Sequence, residues 1–142
     1  MSKIGRYFTL EEMTMTHENM DNTPGIIVRR NLSTLVKNLL NPLRETIGEP
    51  IKITSGYRSL AVNRAVGGAM KPISQHTKGE AADMKCLDNA RLFHAIRDYF
   101  DFDQLIWEKG NDLQPEWVHV SYKVNGNRNH VLQYKNGKYI QL

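Results

Sequence analysis

The chain has one cysteine, Cys86, in 142 residues, so no internal disulfide is available and the fold is one that needs no such staple. Long apolar runs are missing as well. Nothing approaches the roughly 20 consecutive apolar residues that span a bilayer, and the opening Met-Ser-Lys-Ile-Gly-Arg-Tyr-Phe has no apolar core of signal-peptide length. Those absences predict synthesis in the cytoplasm, no membrane insertion, and export, if any, only by lysis. Runs of one charge are lacking too. The formal charge is +4 and the pI about 9.2, but the basic residues are scattered, which describes a solvated surface rather than a nucleic-acid footprint. Repeats, low-complexity tracts and linkers are absent, and Gly and Pro occur mostly singly, so residues 1–142 read as one domain with no site for nucleic acid. A monomer is the expectation.

Activated nucleophiles are the last thing missing. Neither Cys86 nor any serine has a neighbouring base in a recognisable motif, which argues against a thiol or serine mechanism. Cys86 reads as a small buried apolar residue.

What is present is a set of metal-ligating side chains. Ser74-Gln-His-Thr-Lys-Gly-Glu-Ala-Ala-Asp83 places His76 and Asp83 seven positions apart. A straight strand would separate them by about 23 Å, so both reach one ion only if the chain folds back, and Gly79 is where it can turn. Pro115-Glu-Trp-Val-His-Val-Ser-Tyr122 alternates like a half-buried strand and offers His119, with Glu116 three residues earlier on the incoming bend beside Pro115. A His-Asp-His set leaves the fourth position of a tetrahedral zinc open, the pattern of a catalytic site. Zinc brings the pKa of a bound water toward about 7, and Glu116 is the expected proton acceptor. His17, His94 and His130 lack ligand spacing and are read as non-ligands.

The remaining elements are scaffold. A short helix is predicted near Leu10–Met13, N-capped at Thr9. A core-facing helix covers Ile26–Leu43, with apolar Leu32, Leu35, Val36, Leu39, Leu40 and Leu43, its last turn perturbed by Pro42. Ile51–Thr54 is a strand ending in Ser55-Gly-Tyr-Arg-Ser59, where Arg58 is suited to hold an anion or a developing oxyanion. Leu60–Arg64 is a short helix, Val66–Pro72 a flexible loop, Asn89–Phe102 a second amphipathic helix and Phe102–Glu108 a strand. Asn125-Gly126 is a hairpin signal, and a last hairpin follows around Asn136-Gly137.

Ser55-Gly-Tyr-Arg-Ser59, Ser74-x-His76-x-x-Gly79-x-Ala81-x-Asp83 and Glu116-x-x-His119, in that order, resemble the zinc D-Ala-D-Ala carboxypeptidase family, which includes L-alanyl-D-glutamate endopeptidases of phage lysins. The resemblance implies an α+β fold of the Hedgehog and DD-peptidase kind, a small antiparallel sheet carrying the metal with helices packed against it. It implies zinc bound by His76, Asp83 and His119, Glu116 as general base, Arg58 near the substrate carbonyl, Ser74 hydrogen-bonded to substrate, and peptidoglycan stem peptides as that substrate. A non-catalytic module with structural zinc on the same scaffold is the alternative.

Overall fold

A computed structural model describes residues 3–142; the first two residues of the expected 1–142 domain lie outside it. Thr9 starts the first helix, α1 (Leu10–Thr14), through a capping box: its hydroxyl accepts from the Glu12 N–H at 3.1 Å while the Glu12 carboxylate accepts from the Thr9 N–H. Such reciprocal bonds satisfy two N-terminal donors that the helix leaves open.

The predicted Ile26–Leu43 helix is longer and interrupted. It comprises α2 (Ile26–Leu35), a π-helical turn (Val36–Leu40) and α3 (Asn41–Ile47). Pro42 sits at the start of α3, has no N–H to give the preceding turn and would crowd it. The widened turn accommodates this while keeping Val36, Leu39, Leu40 and Leu43 fully buried. Gly48, at φ 75°, ends α3 in a left-handed cap with its N–H on the Arg44 carbonyl.

Strands β1 (Lys52–Ser55), β2 (Ala81–Lys85), β3 (Gln104–Glu108), β4 (Trp117–Ser121), β5 (His130–Lys135) and β6 (Lys138–Gln141) form one sheet in the order β1-β2-β4-β3-β5-β6. The α+β class holds, but the sheet is six-stranded rather than small, and it is not wholly antiparallel because β3 and β5 run parallel. The remaining elements are α4 (Leu60–Ala65), a 3₁₀ turn (Gln75–Lys78) and α5 (Asn89–Tyr99).

Strand alternation divides the sheet into two faces. Ala82, Met84, Leu105, Trp107, Val118 and Val120 join one apolar core with Leu32, Leu35 and Leu39 of the long helix and Leu92 and Ile96 of α5. Asp83, Ile106, Glu108 and His119 alternate with these and belong to the other face.

Asn125-Gly126 does not make the expected hairpin. Both neighbours of β4 are already taken, by β2 and β3, so the chain crosses to the far side of β3 instead. Asp103, fully buried, fixes that crossing: its carboxylate accepts from the Arg128 backbone and guanidinium, and its carbonyl from the His130 N–H. The second Asn-Gly does turn a hairpin, with Asn136 and Gly137 both at positive φ between β5 and β6.

Candidate metal centre and active site

Two of the sequence-predicted ligands come from adjacent strands. Asp83 in β2 is paired directly with His119 in β4, and directly opposed residues share a face. His76 arrives from the 3₁₀ turn, whose N-cap is Ser74: the Ser74 hydroxyl accepts from the His76 N–H at 3.2 Å. Gly79 then reverses the chain into β2 at φ 72°. A side chain there would meet the Val28 carbonyl at 2.7 Å, so glycine is required both by the turn and by its closeness to α2.

The result is one cluster. Ligand atoms of His76, Asp83 and His119 lie within 4.8 Å of one another. His76 Nε2 is 3.4 Å from Asp83 Oδ1, and His119 Nδ1 is 3.0 Å from the same oxygen. The other nitrogen of His76, Nδ1, donates to the Gly56 carbonyl at 2.7 Å. That bond sets the tautomer and leaves the Nε2 lone pair directed at the cluster, as outer partners of metal-binding histidines commonly do. Burial lowers the His76 pKa, with Asp83 opposing, which keeps the ring neutral and ready to coordinate. Burial alone would raise Asp83, yet the two imidazoles outweigh it and hold its carboxyl well below the usual carboxylate range. Two imidazole nitrogens and an ionised carboxylate oxygen are a donor set that suits zinc and leaves a coordination position open.

Arg58 grips the opposite side of Asp83. Its Nη2 donates to Asp83 Oδ2 at 3.4 Å, Nε to Ser55 Oγ at 3.0 Å and Nη1 to Asn63 Oδ1 at 3.2 Å, while its backbone N–H donates to the His76 carbonyl. A register shift between Ile53 and Ser55 pairs Ser55 with Asp83 and so sets the Ser55 hydroxyl beneath the guanidinium. The loop around Arg58 is itself pinned. Asn22 donates to the Thr14 and Tyr57 carbonyls and accepts from the Ser59 N–H, and a side chain on Gly56 would collide with the Met13 carbonyl.

The two glutamates differ in placement. Glu116 is exposed, on the bend before β4, with its N–H on the Glu108 carbonyl and its own carbonyl accepting from Asn89. Glu108 is 8% exposed and closes β3 on the face that carries His119. Burial raises its pKa to about 7; Asp83 adds to this, against the pull of His119, Lys109 and Arg58. Sequence inspection passed over Glu108 because it reads as the polar end of an apolar strand. The available signal was parity, since Ile106 faces His119 and Glu108 is two residues on. Asn63 and Ser55 were passed over too, and nothing in the sequence marks them as partners of Arg58.

His17, His94 and His130 are not in the cluster. Cys86 is half-buried rather than buried, its thiol donating to the Asp88 carbonyl.

A sequence model of the family described as Peptidase M15 matches residues 6–121. The chain belongs to the peptidase M15 family. No curated protein matches it in sequence. Peptidase M15 enzymes are zinc-dependent, and in this M15 chain the His76, Asp83 and His119 side chains form the cluster able to take the ion. The chain is thus a zinc metallopeptidase by family, and no helix among the described residues is long and apolar enough to cross a membrane.

Proposed function

We propose that this peptidase hydrolyses peptide bonds in the stem peptides of peptidoglycan, as an enzyme of phage or prophage lysin type. The observation carrying this reading is the His-Asp-His cluster with the buried Glu108 carboxyl on the same sheet face. His76, Asp83 and His119 would hold the zinc, which when bound supplies a Lewis acid that polarises the scissile carbonyl and acidifies water.

The chain's own residues do the rest. Glu108, rather than the exposed Glu116, takes the proton of the attacking water and passes it to the departing amine nitrogen. A carboxyl with a pKa near 7 is matched to accepting and returning a proton at neutral pH. Arg58 holds Asp83 in place through Nη2, and its N–H groups not engaged with Ser55, Asn63 or Asp83 would meet a substrate oxygen. Ser74 shapes the turn that presents His76, with its exposed side available to the peptide.

Purified protein incubated with cell walls is expected to release new amino and carboxyl ends. The release should stop with a chelator and return with added zinc. Unchanged walls, from a protein shown by metal analysis to carry zinc, would favour the non-catalytic binding module.

A further inference from the structure

The family match ends at residue 121, and the β5–β6 hairpin beyond it continues the site face of the sheet. Glu108 in β3 pairs with Tyr134 in β5, and Tyr134 pairs with Tyr139 in β6; on the other side Glu108 pairs with Trp117 in β4. Trp117, Glu108, Tyr134 and Tyr139 therefore form one row across four strands, all on the face of the metal cluster. The two tyrosine rings are in contact, with centroids 4.6 Å apart and planes tilted by 51°. Tyr139 is nevertheless 61% exposed. Its phenol is raised in pKa by partial burial and by the charges of Glu108, Tyr134 and Asp83, consistent with its standing toward the site.

The exposed Tyr139 phenol, packed on the half-buried Tyr134 ring, contributes an apolar ring face with a hydroxyl at the rim. That combination fits a sugar ring, whose axial C–H faces are apolar and whose edges carry hydroxyls, better than it fits a charged peptide. Resting on the peptidoglycan reading above, we infer that Tyr134 and Tyr139 form a platform for a pyranose ring of the glycan strand to which the stem peptide is attached. Strands are about 4.8 Å apart, so the platform lies roughly 5 to 10 Å from Glu108. An extended chain covers about 3.5 Å per residue. A sugar seated there brings the bond between the first and second stem residues to the site, and leaves the terminal D-Ala-D-Ala bond several residues out of reach.

The test compares one stem-peptide sequence, free and attached to its disaccharide. The wild-type protein should cut the attached form with the higher kcat/KM, between the first and second residues by mass spectrometry. Tyr139→Ala should lower that preference about tenfold, Tyr139→Trp should restore it, and Tyr99→Ala, an exposed tyrosine on α5, should not alter it. Release of terminal D-alanine alone, or an equal loss on both substrates with Tyr139→Ala, overturns the inference. Binding of an N-acetylglucosamine tetramer, followed by tyrosine fluorescence, gives a readout independent of cleavage. Wild-type binding that is lost in Tyr139→Ala supports the platform even where no bond is cut, and absence of binding at millimolar sugar rejects it. Failure to cut either substrate, by contrast, counts against the peptidase assignment of the substrate and not against the sugar site.

Discussion

Glu108 is proposed to carry the chemistry expected of Glu116 on the strength of two local facts. Glu116 is separated from His119 by an odd number of positions and stays exposed on a bend; Glu108 is buried two residues past the partner of His119. Glu108→Gln should lower kcat/KM by about 10²- to 10⁴-fold, the usual loss for a general base, with zinc content retained. Glu116→Gln should stay within a few-fold of wild type. The reverse order, measured on the same stem peptide, would return the role to Glu116.

The raised pKa of Glu108 also has a thermodynamic consequence at this scale. The folded state holds the proton more tightly than the unfolded chain, whose carboxyl has the ordinary value of 4.5. Its contribution to stability is then full below about pH 4.5 and is lost as pH rises to about 7, because there the folded state binds more protons than the unfolded one. His76 works in the opposite sense, since its lowered pKa costs stability as pH falls. Comparing metal-free wild type with Glu108→Gln by urea titration across that window isolates the glutamate: the wild type should lose ground against the variant as pH rises.

Among the elements, the ones visible in the sequence are those with a strong local signal. Periodic leucines announced the long helix, the Thr9 cap announced α1, and the second Asn-Gly announced the last hairpin. The first Asn-Gly misled because turn chemistry says that a chain bends, not which strand it then joins. That choice was made by sheet order and by the buried Asp103, a long-range contact with no local mark. The π-helical turn was half legible: Pro42 signalled trouble, but whether a helix stops or widens there depends on the core residues on either side, and here burial of Leu43 and Ile47 carries it through. At the site, His76 and Asp83 were legible because their spacing around Gly79 is itself geometric, and His119 because it lies in a segment that alternates like a strand. Gly79→Ala tests that element. Its strained φ and the 2.7 Å approach to the Val28 carbonyl should cost more than about 1 kcal/mol of stability and weaken zinc binding, measured by thermal unfolding with and without added metal.

For the molecule as a whole, zinc is expected to act as a folding ligand. An ion that binds the folded cluster and not the unfolded chain stabilises by about 2.7 kcal/mol when its free concentration is a hundred times Kd. Chelation should therefore lower the melting temperature by several degrees, and His119→Ala should abolish the difference between metal-loaded and metal-free protein. An identical melting temperature with and without zinc would mean that the cluster does not take the ion.

The strand order bears on how the enzyme fails. Asp83 and His119 sit on β2 and β4, inside the sheet, each flanked on both sides by other strands, whereas the tyrosine hairpin ends at the rim. Amide protons of β2 and β4 should consequently exchange with deuterium only when the entire fold opens, and those of β6 through frequent small excursions. Mild heating would then blunt discrimination among substrates well before it extinguished hydrolysis.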